Sequence, residues 1–65
     1  MNELKIWCGG GALLYFKTRK KTALEAFREF EDICYRIQLN TDMLRITELV
    51  LQDKDFNEFD WVNLR

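Results

Sequence analysis

The sequence contains no histidine, no serine and no proline among its 65 residues. Histidine is the commonest general base and metal ligand, so its absence removes most acid–base and metal-assisted mechanisms. Without histidine and serine, neither a Ser-His-Asp nor a Cys-His arrangement can form. A chain this short also rarely encloses a pocket deep enough for paired carboxylates to act as acid and base. The sequence therefore predicts a protein that is not an enzyme, with no catalytic residue and no cofactor.

Cysteine is scarce, with two in the chain. Cys8 and Cys34 fall at positions that the hydrophobic pattern assigns to the core, where a cysteine behaves as a small apolar side chain. A zinc site within one chain lacks ligands, because no CxxC pair and no histidine accompany them. We therefore expect no metal. The alternative is a thiol- or metal-dependent role for Cys8 and Cys34, as a redox pair or as a half-site that a second copy completes.

The three glycines are consecutive, Gly9–Gly11, and separate two apolar segments. Such a run predicts a hairpin turn, because glycine adopts positive φ without steric cost. The alternative is an anion held on the glycine backbone N–H groups. The run does not match the phosphate-binding loop and does not open a helix, so we interpret it as a turn.

Long hydrophobic runs are also missing. No stretch approaches the roughly 18 apolar residues that a membrane helix requires, and no basic segment followed by an apolar one marks a secretion signal. We therefore expect a cytoplasmic protein with reduced cysteines and no contact with a membrane. Hydrophobic residues make up 48% of the chain. The length predicts one domain, residues 1–65, and the hydrophobic content predicts apolar surface left over for association.

Residues 22–39 carry the clearest pattern in the chain, that of an amphipathic helix. Thr22 and Glu25 have the spacing of a capping box, in which each side chain accepts from the other residue's backbone N–H. Asn40 favours a stop there, because asparagine tolerates the left-handed conformation. The apolar residues recur at helical spacing and predict one buried stripe. The stripe consists of Ala23, Ala26, Phe27, Phe30, Ile33, Cys34 and Ile37.

Residues 4–8 and 12–19 alternate between apolar and polar and predict two strands. Residues 44–52 fit a strand or a loose helical stripe, and their β-branched side chains favour the strand. The aromatic and acidic tail, residues 56–65, is either a fourth short strand or a packed arm. These segments predict a two-layer α+β fold, β-β-α-β or β-β-α-β-β. One central helix would pack on a three- to four-stranded, mainly antiparallel sheet.

Basic residues cluster where the second strand leads into the helix: Lys17, Arg19, Lys20 and Lys21. Alternation places Lys17 and Arg19 on one strand face beside Tyr15, and basic groups next to aromatic rings suit a single-stranded nucleic acid. The whole chain is slightly acidic, with a net charge of −1. A solubilising strand end is therefore the simpler interpretation, and nucleic-acid binding through these residues is an alternative function.

The leading hypothesis is a non-catalytic protein–protein interaction or regulatory module. A homodimer is one form that this contact could take. Aromatic side chains dominate the energetics of protein interfaces, and carboxylates interleaved with aromatics in the tail could dock on a basic partner surface. The candidate contact residues are Trp7, Tyr15, Phe59, Asp60 and Trp61.

In size and layout, the chain resembles the short accessory proteins that phages and mobile elements encode. The resemblance rests on no sequence motif, so no residue is assigned a role through it. It implies a bacterial or phage setting and a host macromolecule as partner. Inhibitors of host defence nucleases are among such proteins.

Overall fold

The computed structural model describes residues 1–64. Within them, one α-helix packs on a four-stranded antiparallel sheet, which confirms the predicted α+β class. Among these residues, no helix is long and apolar enough to span a membrane. The elements in chain order are β1 (Asn2–Cys8), β2 (Leu13–Thr18), α1 (Ala23–Arg36), β3 (Ile46–Gln52) and β4 (Glu58–Asn63), with short 3₁₀ turns at Gly9–Gly11 and Thr41–Leu44.

The order of strands across the sheet is β2-β1-β3-β4, and every neighbouring pair is antiparallel. β1 and β3 are therefore the central strands, and β2 and β4 are the edges. Helix α1 lies over β1, β3 and β4 on one face. No described helix or strand packs against the opposite face, which we call the open face.

The start of α1 follows from its cap. Thr22 is the N-cap residue, and its Oγ1 accepts from the Glu25 backbone N–H at 3.2 Å. The Glu25 carboxylate accepts from the Thr22 hydroxyl at 2.9 Å, where the predicted capping box has it accept from the Thr22 N–H. A second group also contributes, because Asp60 Oδ2 in β4 accepts from the Ala23 N–H at 2.7 Å. The helix start is therefore tied to the far edge of the sheet.

The prediction that the helix continues to Leu39 is wrong, since α1 ends at Arg36. Gln38 adopts the left-handed conformation with φ of 61°. The turn it makes lets the Leu39 N–H donate back to the Cys34 carbonyl at 2.8 Å, which satisfies a terminal helix acceptor. Gln38, rather than Asn40, supplies the left-handed residue that ends the helix.

Residues 44–52 contain a strand, as favoured, and not a helix. The strand starts at Ile46, two residues later than predicted, because Leu44 belongs to the 3₁₀ turn. Arg45 adopts the left-handed conformation with φ of 53° and redirects the chain into β3. Asn40 caps the 3₁₀ turn by accepting from the Asp42 N–H at 3.0 Å.

The glycine run joins β1 to β2, as predicted, in a tight turn. Gly10 and Gly11 both have φ of 86°, where residues with a Cβ are strained. Gly9 is constrained by space instead, since a Cβ there would lie 3.0 Å from the Arg45 Cβ. β1 starts two residues before the predicted 4–8, and β2 is one residue shorter at each end than the predicted 12–19.

The core lies between α1 and the central strands. Two small helix residues, Ala23 and Ala26, are fully buried and let the helix approach the sheet closely. At the β2 side, the rings of Phe16 and Phe30 meet edge to face with centroids 5.6 Å apart. The largest side chains with no exposed surface are Leu4, Ile6, Leu49 and Leu51.

The C-terminal part of the predicted helix stripe is only partly buried. Cys34 is 2% exposed, but Ile33 is 42% exposed and Ile37 is 66% exposed. Ile37 follows the last helical residue, so its side chain no longer continues the stripe. After Phe30, Cys34 is therefore the one residue of the predicted stripe that is buried.

The tail forms the fourth strand of the β-β-α-β-β alternative. β4 pairs antiparallel with β3, with a register shift between Leu51 and Gln52. The strand begins at Glu58, because Phe56 lies in the preceding turn with φ of 65°. Pairing with a central strand, and not packing as an arm, is what orders this segment.

The turn before β4 is organised by one carboxylate, and its titration gives a testable pH dependence. Asp53 accepts from the backbone N–H of Asn57 and Asp55 at 3.0 and 2.8 Å, and from the Asn57 amide at 3.2 Å. These bonds, the Asn57 backbone bond first, lower the pKa of Asp53 below 3.8.

The stabilisation that these hydrogen bonds give the folded state is therefore complete above about pH 4 and is lost as pH falls through the lowered pKa of Asp53. We expect Asp53→Asn to reduce the acid sensitivity of thermal unfolding below pH 4. An unchanged acid limb would contradict this role.

Candidate functional site

The open face of the sheet presents three rows of side chains that follow from the strand register. Residues directly opposed in an antiparallel sheet point to the same side. Across β2, β1, β3 and β4, the middle row is Tyr15, Lys5, Val50 and Trp61. The rows on either side are Leu13, Trp7, Glu48 and Asn63, and Lys17, Glu3, Gln52 and Glu58.

Three of the candidate contact residues, Trp7, Tyr15 and Trp61, therefore share this face. Tyr15 is 58% exposed and Trp61 is 56% exposed, while Trp7 on the central strand is half-buried. Val50, between Lys5 and Trp61, is only 3% exposed although no second layer covers it. In a single-layer face, that burial comes from neighbouring side chains lying over the strand. Val50 and Trp61 are thus apolar neighbours, and Lys5 lies between Val50 and Tyr15.

The charged groups of the open face largely neutralise one another. Lys5 Nζ forms an ion pair with Glu58 Oε2 across β3. Gln52 Nε2 donates to Glu3 Oε1 at 3.0 Å, and Gln52 itself is 5% exposed. These contacts fix the polar side chains that lie between the aromatic residues. Fixed polar groups reduce the entropy lost when a partner covers the face.

The structure separates Phe59 and Asp60 from that aromatic group. Asp60 is opposed to Leu51, whose side chain is in the core, so its carboxylate points to the helix side. There it binds the Ala23 N–H and is partly buried. Phe59 lies at the β4 irregularity and is 45% exposed. The geometry thus gives Asp60 a structural contact within the chain.

The basic residues lie at one end of edge strand β2 and in the connection to α1. Lys17, Arg19, Lys20 and Lys21 are all exposed. Only Lys17 shares the open face with Tyr15, because the intervening Thr18 is 2% exposed and turns inward. β2 ends at Thr18, so Arg19 lies beyond the strand on which alternation had placed it. The four cations therefore do not line a single strand face.

The two cysteines are buried and unpaired, with Cys8 7% exposed and Cys34 2% exposed. Burial, together with the nearby Glu31 carboxylate, raises the pKa of the Cys34 thiol above 9.0. A thiol with a raised pKa stays protonated at neutral pH and is a poor nucleophile and metal ligand. Within residues 1–64, no three cysteine or acidic side chains are grouped so as to hold a metal ion.

The outer surface of the helix has a shallow groove of about 940 Å³, and its lining includes Tyr35 and Leu39 near the C-terminal end of the helix. Tyr35 is 83% exposed, and Leu24 on the first turn is 48% exposed. The groove is open to solvent. It offers apolar contact, but Tyr35 is the one aromatic side chain in its lining, whereas the open face presents three aromatic residues.

Comparisons with known proteins give no relative to set beside this geometry. No protein-family model matches the chain, and searches of curated proteins and of solved structures find no similar protein. The functional argument therefore depends on the sequence, the fold and the open face.

Proposed function

We propose that the protein is a non-catalytic interaction module that binds a protein partner through the open face of its sheet. The observation that supports this is the alignment of Trp7, Tyr15 and Trp61 on the one sheet face that no described element covers. Aromatic side chains bring large contact area at low entropic cost, and they are enriched among the residues that dominate binding energy.

The charge on this face favours a protein over a nucleic acid as partner. Lys5 and Lys17 contribute two positive charges, and Glu3, Glu48 and Glu58 contribute three negative ones, a net of −1. Nucleic-acid affinity comes largely from cations that neutralise phosphates. A surface that presents aromatic side chains and carries almost no net charge is instead typical of a protein interface. The resemblance to phage and mobile-element accessory proteins supports a host protein as that partner.

The test is partner capture from a bacterial lysate followed by affinity measurement with matched variants. Trp61→Ala removes an exposed aromatic from the open face, and Tyr35→Ala removes a still more exposed aromatic from the helix. We expect Trp61→Ala to weaken the captured complex by about 30-fold or more, a typical hot-spot loss of about 2 kcal/mol. Tyr35→Ala should change it less than about twofold. Equal effects of the two variants would contradict the assignment of the open face.

Nucleic-acid binding is the second candidate, because Lys17 and Tyr15 share the open face and the three cations that follow are exposed. It predicts binding to a mixed single-stranded oligonucleotide that falls steeply as salt rises. Tight binding at low salt, lost in a Lys17→Gln/Lys20→Gln variant, would put this candidate ahead of the protein partner. An absence of binding at low salt would remove it.

A further inference from the structure

The two edges of the sheet are not equivalent. Edge strand β4 contains a register irregularity and carries Glu58 and Asp60, features that discourage pairing with another strand. Edge strand β2 pairs with β1 in unbroken register from Leu13 to Thr18 and contains no proline. Its other side has no partner among the described residues. Lys17 is the one charged residue of β2, and a regular edge of this kind is a template for a further strand.

The hydrogen-bond pattern shows which backbone groups of β2 point outward. The Cys8 N–H donates to the Ala12 carbonyl at 2.8 Å, so Cys8 and Ala12 are a hydrogen-bonded pair. In an antiparallel ladder, such pairs alternate with non-hydrogen-bonded ones. Leu14, Phe16 and Thr18 therefore direct their N–H and C=O groups toward β1. The groups directed away from the sheet belong to Leu13, Tyr15 and Lys17.

From this edge we infer that two copies of the chain pair through β2, antiparallel and about a two-fold axis at Tyr15, to form a continuous eight-stranded sheet. Only one register uses all three outward-directed residues of both copies. It sets Tyr15 opposite Tyr15 of the second copy, and Leu13 opposite Lys17 of the second copy. A two-fold axis perpendicular to the sheet keeps both helices on the same side.

The side chains are complementary in that register. On the helix side, Leu14 meets Phe16 of the second copy, which covers a leucine that is otherwise 36% exposed. On the open face, the apolar stem of Lys17 lies against Leu13 of the second copy. The two Lys17 residues are separated by the Tyr15 pair and do not meet. Helix α1 contacts the inner face of β2 through the Phe16–Phe30 ring pair and the Thr18–Glu29 hydrogen bond, and no described strand pairs with the outer edge of β2.

Symmetric cross-linking tests the axis directly. In a hydrogen-bonded antiparallel pair the two Cα atoms are about 5.5 Å apart, a separation that a disulfide spans. We expect Tyr15→Cys to form a covalent dimer under mild oxidation, while Leu13→Cys or Lys17→Cys alone does not. A mixture of the Leu13→Cys and Lys17→Cys proteins should cross-link as the mixed pair. The native Cys8 and Cys34 are buried, so the wild-type chain serves as the uncross-linked control.

Opposite charges at one position test the same register without cross-linking. Leu13→Glu would face Lys17 of the second copy and form two ion pairs per dimer, whereas Leu13→Lys would form two repulsive pairs. We expect the dimer dissociation constant, measured by sedimentation equilibrium, to fall about fivefold for Leu13→Glu and to rise about fivefold for Leu13→Lys. Both variants lose the same leucine, so each controls for the other.

The inference is overturned if the wild-type chain stays monomeric at millimolar concentration, if Lys17→Cys cross-links to itself as fast as Tyr15→Cys, or if both Leu13 variants shift the constant in the same direction. It does not depend on the proposed partner. A monomer whose partner binding still falls with Trp61→Ala would reject the dimer alone, and a dimer unaffected by Trp61→Ala in partner binding would reject the open-face proposal alone.

Discussion

Replacing Leu49 with alanine is expected to lower the free energy of unfolding by about 3 kcal/mol, because a buried leucine truncated to alanine loses both its transfer energy and its packing. Leu49 has no exposed surface and lies on central strand β3, directly opposed to Ile6 of β1 and Val62 of β4. Domains of this size rarely hold more than about 3–5 kcal/mol. We therefore expect a substantial unfolded fraction at 25 °C, measured by urea denaturation followed by tryptophan fluorescence.

The matched control is Leu24→Ala. It makes the same chemical change on the first turn of α1, where the side chain is 48% exposed. Its cost should stay below about 1 kcal/mol, since surface substitutions are usually small and alanine is the better helix former. Similar losses in the free energy of unfolding for Leu49→Ala and Leu24→Ala would contradict the assignment of Leu49 to the core and of Leu24 to the surface.

The parts of the fold that the sequence predicts well are those with local signals. The helical spacing from Ala23 onward and the Thr22 cap predict where α1 begins, and the helix does begin at Ala23. Alternation in residues 4–8 assigns Leu4, Ile6 and Cys8 to one face, and all three are buried. Each of these signals is contained in a short window of sequence, so no knowledge of tertiary contacts is needed.

The end of α1 and the start of β3 are difficult to predict from the sequence, because two non-glycine residues adopt the left-handed conformation there. Gln38 and Arg45 have φ of 61° and 53°, and neither residue type is typical of that conformation. Residue preference favours Asn40 as the left-handed residue that ends the helix, yet Asn40 caps a 3₁₀ turn. Backbone contacts such as the Leu39 N–H to Cys34 carbonyl bond select these conformations, and they form only when the turn itself forms.

The open face could be predicted in part. Alternation alone placed Trp7 opposite the core side of β1, and it placed Tyr15 with Lys17 on one side of β2. Trp61 could not be assigned to that face, because its direction depends on the register of β4 against β3. A shift of one residue in that register would exchange Trp61 and Asp60 between the two faces.

The register of β4 against β3 also separates the roles of two adjacent residues in the tail. Trp61 is opposed to Val50 and lies on the open face, while Asp60 is opposed to Leu51 and reaches the helix. Sequence proximity suggested a common contact surface for both. In the structure, one offers apolar area to a partner, and the other stabilises the fold that positions that area.

Replacing Asp60 with alanine is therefore expected to destabilise the protein by about 2 kcal/mol, the range found for a hydrogen bond to a charged group. Its carboxylate accepts from the Ala23 N–H at 2.7 Å, one of the donors at the helix start that has no partner within α1. The negative charge also interacts favourably with the positive end of the helix dipole. Asp60→Asn keeps an acceptor without the charge, so we expect about half the loss. Thermal and urea unfolding would measure both.

Asp32→Ala is the matched control, because Asp32 is an exposed carboxylate whose contact is an ion pair with Arg36 at 2.9 Å on the same helix. Such pairs contribute about 0.3–0.5 kcal/mol. If Asp60→Ala lowers the free energy of unfolding no more than Asp32→Ala does, the hydrogen bond from the Ala23 N–H to Asp60 contributes nothing to stability. Asp60 is then available to contact a partner instead. If Asp60→Ala costs the expected amount, reduced partner binding by Asp60→Lys must first be corrected for the unfolded fraction. Only the remaining loss would then belong to a contact surface, and Trp61→Ala, which breaks no such tie, becomes the cleaner probe of the open face.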